Sequence, residues 1–564
     1  MATVLERADK KAYMDDSVPL KAAILTHRAL PDHVEFVIKV QRGPKPEDSW
    51  EVAHRYNEFS ELNDVIKECG YATLPLPPKK LIGSSERQFL IERQQKLQVF
   101  LDALLHEPFL SSRYEVKKFL DPSNYTENIY DTALRDVSMF FRSEPTWNVV
   151  KPLKDIGSRF RKQYYLIESK TNPSLPNHLL SWVEPGPDFS LGHRELEVSL
   201  KTLTEIKHPY ILSPMSATFN GTGLMVVRKY VPTGSLRDRI WGGLKPQLTL
   251  LQKCFASTQP KARLSVADIR KYGRQVLEAL QFLQSKGFVL GHVHSGNVII
   301  DDGCCKLVDI ENSLLGLVPL NRHFLLDVRK IHTTSDELVF MFGHMLYEMA
   351  SGEPLKTASI DSCPPHIDLT LSPLLSSLLT PQGIKTGLPT IEALLANEFF
   401  SSGAAPPPPA GGPPPEKPVL KVHSKLKEIL VVHAQKAEQR LVAQQKMVAE
   451  SKRVSKAKES FMSEDAKMKR RRNQQKQMSL HSTEDEPEAY PTTAVPRQTS
   501  LSLSQPPTVT AVKSSAVATP SSSSSSSSST AAKPKAPAAP AAPPLPPTAA
   551  PAPAPPPATP AAVQ

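Results

Sequence analysis

A break in composition near residue 402 limits what this chain can fold into. Of its 54 prolines, 27 lie beyond residue 400, and residues 521–529 are nine consecutive serines. Ala, Pro, Ser and Thr dominate from residue 479 on, with too few large apolar side chains to offset the entropy of folding. The expectation is a disordered Pro/Ser/Ala-rich tail over 479–564, a basic helical segment over 421–478, and a Pro/Gly linker over 401–420. About 400 residues of the 564 remain to build cores, which suits two domains.

Charge is just as uneven. The net charge is +11, and residues 421–477 hold sixteen Lys/Arg against six Asp/Glu, a net of +10. The rest is close to neutral, which argues against a nucleic-acid-binding globule and for one local basic patch. Five irregularly spaced cysteines (Cys69, Cys254, Cys304, Cys305, Cys363) imply no disulfide framework and fit a reducing compartment. The start MATVLERADKK has no apolar core of a secretory signal, and no run of 18 apolar residues exists. The expectation is a cytoplasmic protein whose membrane contact, if any, is peripheral.

Residues 17–68 read as strands followed by a helix. VEFVIKVQRG and SWEVAHRY alternate as strands, and EFSELNDVIKECG spaces Phe59, Leu62, Val65 and Ile66 helically. After the loop LPLPPKK a second amphipathic helix carries Phe89, Leu90, Leu97, Phe100, Leu101, Leu104 and Leu105. Residues 140–400 begin with strand-like runs (RKQYYLIE, HLLSWVE, LMVVRKYV) and turn helical after residue 265, which predicts a small β-rich lobe followed by a helical lobe. The segment 419–477 reads as one long polar helix with a thin apolar stripe at Leu426, Ile429, Leu430, Leu441 and Val448. That pattern suits a solvated charged helix or one drawn to an anionic membrane through clusters such as MKRRR at 468–472.

Three short motifs between residues 54 and 101 suit an inositol phosphate head group. HRYNEF places Arg55, whose fork can hold a phosphate bidentately, beside the aromatic Tyr56. LPPK offers Lys79 as a point charge on a proline-stiffened loop, and IERQQKLQVFL puts Arg93 on a helix. In this order and spacing the motifs resemble those of the PX (phox-homology) family, over about 105 residues taken as 17–125. The resemblance implies that Arg55 holds a 3-phosphate and Tyr56 stacks on the ring. It likewise implies that Lys79 touches the 1-phosphate and Arg93 the ring hydroxyls, with phosphatidylinositol 3-phosphate as the favoured lipid. Leu81 and Ile82 suit either membrane insertion or the core.

Residues 140–400 resemble a bilobal protein kinase, with landmarks in order. These are HPYIL (208–212), MVVRKYVPTGSLRDRI (225–240), LGHVHSGN (290–297), KLVDIEN (306–312) and SDELVFMFGHMLYEMASGEPL (335–355). Phosphoryl transfer needs a Gly-rich loop, a strand lysine, its Glu partner, an Asp base and metal ligands. Here LKDIGSRFRKQYYLI has the single glycine Gly157, and HLLSWVE has no lysine. Ser199 stands where the helical Glu is expected, with Glu195 and Glu197 near, and His292 occupies the position of the catalytic Asp. Asn297 and Asp309 are kept as residual nucleotide or Mg²⁺ ligands, while Glu311 replaces the glycine of Asp-Phe-Gly. No catalytic residue or resident metal is assigned: a zinc site from His292, His294, Cys304 and Cys305 matches no structural zinc spacing. No cofactor is required, and Asn297 with Asp309 implies at most weak Mg·ATP binding.

The fold class is therefore α+β: a PX module, a kinase-like bilobal fold, a long basic helix and a disordered tail. The combination resembles a family of PX-plus-kinase-like proteins. That resemblance implies a peripheral scaffold at the plasma membrane and endosomes that associates with Na,K-ATPase β subunits. It also implies an actin-binding element, but no L-K-K-[TV]-like stretch is found here, which leaves actin open. Polyproline runs at 406–409, 413–415, 543–547 and 555–557 suit SH3, WW or profilin-type partners. RQTS (497–500) suits a basophilic phosphosite. The alternative is an atypical Ser/Thr kinase recruited to phosphoinositide membranes.

Overall fold

The structure is a computed structural model. It describes residues 17–481 apart from 69–73, 80–86, 145, 154–155, 158–160, 173, 242–262 and 402–416. Leu81, Ile82, the polyproline runs, the 497–500 motif and residues 482–564 lie outside the described residues.

The chain opens with β1 (Leu20–Ala29), β2 (Val34–Arg42) and β3 (Ser49–Arg55), an antiparallel sheet in that order. Alternation along β2 turns Phe36, Ile38 and Val40 inward. Two helices close that face. In α1 (Tyr56–Glu68), Phe59, Leu62 and Ile66 are buried; in α2 (Arg87–His106), Leu97, Phe100, Leu101 and Leu104 are. All share one core with α3 (Pro108–Ser111) and α4 (Tyr114–Leu120). The alternating and helical patterns read from the sequence thus form one module.

Helix α5 (Ile129–Ser143) leaves this module and packs on the outer face of the next sheet. There Ala133 and Val137 meet Tyr165, Leu180 and Trp182, and Trp182 Nε1 donates to Asp136 at 3.0 Å. That sheet has five strands: β4 (Trp147–Pro152), β5 (Lys162–Ser169), β6 (His178–Val183), β7 (Ser216–Phe219) and β8 (Leu224–Lys229), ordered β4-β5-β6-β8-β7. Between β6 and β7 runs α6 (His193–Thr204). Together these form the β-rich lobe.

The helical lobe begins with α7 (Leu236–Ile240) and α8 (Val266–Ser285). A 3-10 turn (Ser295–Asn297) and the hairpin β9 (Val298–Asp301) and β10 (Cys304–Leu307) face the sheet. Then come α9 (Arg322–Asp327) and the buried α10 (Thr334–Ser351). Thr333 accepts from Asp336 N at the start of α10, and Gly352, with φ of 79°, ends it in the left-handed region. Four short helices follow: α11 (Ser372–Leu379), α12 (Pro381–Thr386), α13 (Ile391–Ala396) and α14 (Glu398–Ser401).

Helix α15 (Ser424–His481) is the 58-residue basic helix. Its apolar stripe is not solvated: Leu426, Leu430 and Leu441 are buried in the core of the kinase-like lobe, with Ile429 and Val448 packed beside them. Gln445 Nε2 donates to the carbonyls of Leu325, Val328 and Ile331 at 2.8–3.1 Å, satisfying the chain around the end of α9. Glu438 accepts from Thr334 N at 2.8 Å, at the start of α10. The helix also reaches the first module, where Gln444 Nε2 donates to Ser17 Oγ at 2.7 Å and Lys21 Nζ to Ser451 Oγ at 3.0 Å. Of the side chains at 469–472 nothing is described.

Candidate functional site: a charge-filled cleft and a cationic head-group pocket

Strand alternation and register build the cleft. Lys162 and Tyr164 are two apart on β5 and share a face; Tyr164 pairs with Ser181 of β6, and Leu179 of β6 pairs with Arg228 of β8. Lys162, Tyr164, Ser181 and Arg228 therefore all face the helical lobe. The segment after β10 brings Asp309, Glu311 and Asn312 beneath them.

The result is a buried, charge-balanced cluster. Lys162 Nζ lies 3.0 Å from Asp309 Oδ1 and 3.0 Å from Glu311 Oε1, and donates to Asn312 Oδ1 at 2.8 Å. Arg228 forks onto the same two acids, pairing with Asp309 Oδ1 and donating to Glu311 Oε1 at 2.7 Å. Tyr164 donates to the second Asp309 oxygen at 2.8 Å. Every charged member is buried. Burial alone would raise the Asp309 carboxyl; Lys162 and then Arg228 outweigh it and hold it well below the usual carboxylate range. Glu311 is likewise depressed, with Arg228 first and Lys162 next overcoming burial. Arg228 is held firmly protonated by Glu311 and Asp309 against the desolvation.

Asp309 takes the left-handed conformation at φ of 58°, unusual for a residue with a Cβ though tolerated by Asp. Downstream, Gly186 N donates to Leu315 O at 2.8 Å and Asp188 N to Gly316 O at 3.0 Å. The loop before α6 is thereby tied to the segment after Asp309. Gly316 is required at that tie: its φ is 62°, and a Cβ there would lie 1.8 Å from Phe189 N.

The other expected kinase positions fall as follows. Ser181 faces the cleft from β6, the strand that lacks a lysine, and the lysine present comes from β5. Ser199 is fully buried on α6 and its hydroxyl donates back to Glu195 O at 2.7 Å, while Glu195 and Glu197 are exposed. His292 is buried, and Asn297 Nδ2 donates to its carbonyl at 3.1 Å. Gly157, with φ of 77°, lies between β4 and β5 against the Tyr164 ring. A second buried pair, Arg237 with Glu348, clamps Ser295 of the 3-10 turn, whose hydroxyl donates to Glu348 at 2.6 Å. Asp309 Oδ1 thus carries Lys162 and Arg228, and Oδ2 accepts from Tyr164.

The first module holds a separate site. Arg93 is buried at the start of α2, its guanidinium 4.2 Å from the Tyr56 ring centre and 4.4 Å from that of Phe89. It donates to Pro78 O at 3.2 Å, and Tyr56 OH donates to Pro77 O at 2.5 Å. Burial lowers the Arg93 pKa and raises that of Tyr56. A cavity of about 230 Å³ is lined by Pro77, Pro78, Lys79, Phe89, Glu92, Arg93 and Lys96. The structure thus brings Tyr56, Lys79 and Arg93 together, but Arg93 already stacks on the Tyr56 ring. Arg55, exposed at the end of β3, does not line the cavity. Lys96 was missed in sequence; its spacing three residues after Arg93 on one helix face was the available signal.

Sequence comparison matches both modules. Residues 43–123 match the PX domain family, and residues 190–313 match the protein tyrosine and serine/threonine kinase family. The chain is 42% identical to the PX domain-containing protein kinase-like protein of Mus musculus over 431 residues, covering 76% of this chain and 72% of that one. It belongs to the PX domain-containing protein kinase-like family. Two shorter similarities fall in other proteins. The probable inactive serine/threonine-protein kinase slob1 of Dictyostelium discoideum is 33% identical over 46% of this chain and 48% of its own. The Slowpoke-binding protein of Drosophila melanogaster is 32% identical over 37% of this chain and 42% of its own. As a PX-plus-kinase-like chain, it joins a PX module to a kinase-like fold whose cleft is crossed by its own ion pairs.

Proposed function

We propose that this chain is a phosphoinositide-recruited peripheral membrane scaffold whose kinase-like lobe transfers no phosphate. The observation that carries the reading is the lock on Asp309: the acid at the metal-ligand position is engaged by Lys162, Arg228 and Tyr164. Mg²⁺ would have to break a neutralised buried cluster, and removing one partner of such a pair costs about 3–5 kcal/mol. With Ser181 on the strand that should carry the lysine and His292 at the base position, the residues present do not fit Mg·ATP. The lobe is then a binding platform, stiffened by the tie at Gly316 and by α15.

Recruitment comes from the cavity around Lys79, Arg93 and Lys96, with phosphatidylinositol 3-phosphate as the favoured lipid. One relative is named for binding Slowpoke. The family resemblance supports a membrane protein as the partner, Na,K-ATPase β subunits among the candidates, on the plasma membrane and endosomes. The test is co-sedimentation of the full chain with vesicles containing phosphatidylinositol 3-phosphate, beside vesicles in which phosphatidylserine supplies the same charge. Binding to these vesicles over phosphatidylserine controls, lost in Lys79→Ala, is expected; equal binding to both would overturn the recruitment reading.

A further inference from the structure

Helix α15 meets its two neighbours with two different faces. Leu441, Gln445 and Lys452 face the kinase-like lobe: Leu441 joins its core, Gln445 holds the carbonyls around α9, and Lys452 Nζ pairs with Asp327 of α9 at 2.6 Å. Gln444, Ser451 and Ser455 face the PX module. Gln444 bonds Ser17, and Lys21 Nζ of β1 lies 3.0 Å from Ser451 Oγ and 3.5 Å from Ser455 Oγ. Steps of four and seven residues keep each set on one side of the helix.

The contact at Lys21 is poorly matched in charge. Residues 446–458 hold five Lys/Arg and one Glu, and the groups that accept from Lys21 there are neutral hydroxyls. A cation thus points at a stretch of its own sign. An anion on that face would make the contact charge-assisted, about twice as strong as a neutral bond. The sequence supplies a route to one. Ser455 has Lys452 three positions and Arg453 two positions before it, the cationic approach that a basophilic Ser/Thr kinase reads; Ser451 has Val448 and Ala449 there. Ser455 is half-buried, and Lys452, Arg453, Val454 and Lys456 around it are exposed. Beyond Gln445 no described residue of α15 is buried, so this stretch can open to an enzyme without uncovering the core.

We propose that Ser455 is a phosphorylation site for a separate basophilic kinase, and that its phosphate locks the PX module to α15 through Lys21. In the step, Ser455 Oγ bonds to the γ-phosphorus of ATP and the bond from that phosphorus to the β,γ-bridging oxygen breaks. ADP leaves, and the hydroxyl proton passes to the modifying enzyme's base. The product carries a charge of about −1.5 to −2 on the face that Lys21 already meets. A neutral tie between the two modules becomes an ion pair.

The test uses the full chain in two arms. In the first, the chain is incubated with Mg·ATP and the catalytic subunit of cAMP-dependent protein kinase. Ser500→Ala is the background, because Arg497 also stands three positions before Ser500. Peptide mass spectrometry is expected to find phosphate on Ser455; none there would overturn the site. In the second arm, phosphoserine is placed at 455 during translation, and hydrogen exchange is followed across β1 and residues 444–455. Exchange is expected to slow about five- to ten-fold, the difference between a neutral and a charge-assisted hydrogen bond. Lys21 is exposed, so its replacement leaves the core intact. Lys21→Gln should remove the slowing and Lys21→Arg should keep it. Unchanged or faster exchange with phosphoserine, or slowing that survives Lys21→Gln, would overturn the lock.

Discussion

Arg228 and Asp309, 81 positions apart, meet in a buried ion pair that joins the central part of the five-stranded sheet to the segment beneath it. The pair ties the two lobes through the point where a kinase would hold metal. Its companions Lys162 and Glu311 make the cluster neutral overall, which is the condition for ions to be buried at all.

Arg228→Met is expected to destabilise the kinase-like lobe by about 3–5 kcal/mol, because it strands two buried carboxylates. Arg228→Met with Glu311→Gln should cost less than the two single changes added together. Urea denaturation of the four forms measures this. Strict additivity would mean that the two side chains do not act as a unit.

The acid limb of stability should report the same cluster. Asp309 and Glu311 have folded pKa values below their usual 3.8 and 4.5. Depressed carboxyls contribute stability that is present above the unfolded values and is lost as pH falls through them toward the folded ones. Stability measured from pH 5 down to pH 2 should fall more gently in Asp309→Asn, from a lower starting value.

His344 gives a second, separable pH effect. It is buried on α10 between Phe324 and Phe340, and burial, with repulsion from His323 next, holds its pKa at about 3 against a usual 6.5. Its depressed value means the unfolded state takes the proton first. Stability is therefore lost as pH falls from about 6.5 toward 3, by up to about 1.4 kcal/mol per pH unit. His344→Phe should lower that slope by one proton; an unchanged slope between pH 6.5 and 5 would contradict the assignment.

Leu430, on α15, is fully buried against the kinase-like lobe. Leu430→Ala should cost about 2–5 kcal/mol, the range for a truncated core leucine. Hydrogen exchange should rise around α9, where Gln445 holds three carbonyls. Protection unaltered there would mean that α15 is not part of the lobe's folding unit.

Much of this architecture was legible in the sequence because alternation and helical spacing are local. VEFVIKV, SWEVAHR, QYYLIE and LMVVRK are strands as their patterns predict; Lys79 and Arg93 line one cavity, with the Tyr56 ring under the Arg93 guanidinium and Arg55 outside the lining. The cleft was only half legible. The missing lysine of β6 and His292 could be counted off, but the partners of Asp309 could not. Lys162 and Arg228 sit on strands whose register decides which face they take, and no local signal links them to an acid 81 or more positions away. The apolar stripe of α15 was visible as a stripe; that it packs on the lobe required knowing that α9, α10 and the loop at Asp188 present a surface for it.

The measurement that bears most directly on the central claim is the unfolding temperature of the full chain against rising Mg·ATP, beside Asp309→Asn. The account predicts no saturable shift at millimolar nucleotide, since Asp309 is held by Lys162 and Arg228. A bound ligand at 100 times its dissociation constant would add about 2.7 kcal/mol. A Mg²⁺-dependent shift of that size, abolished by Asp309→Asn, would contradict it.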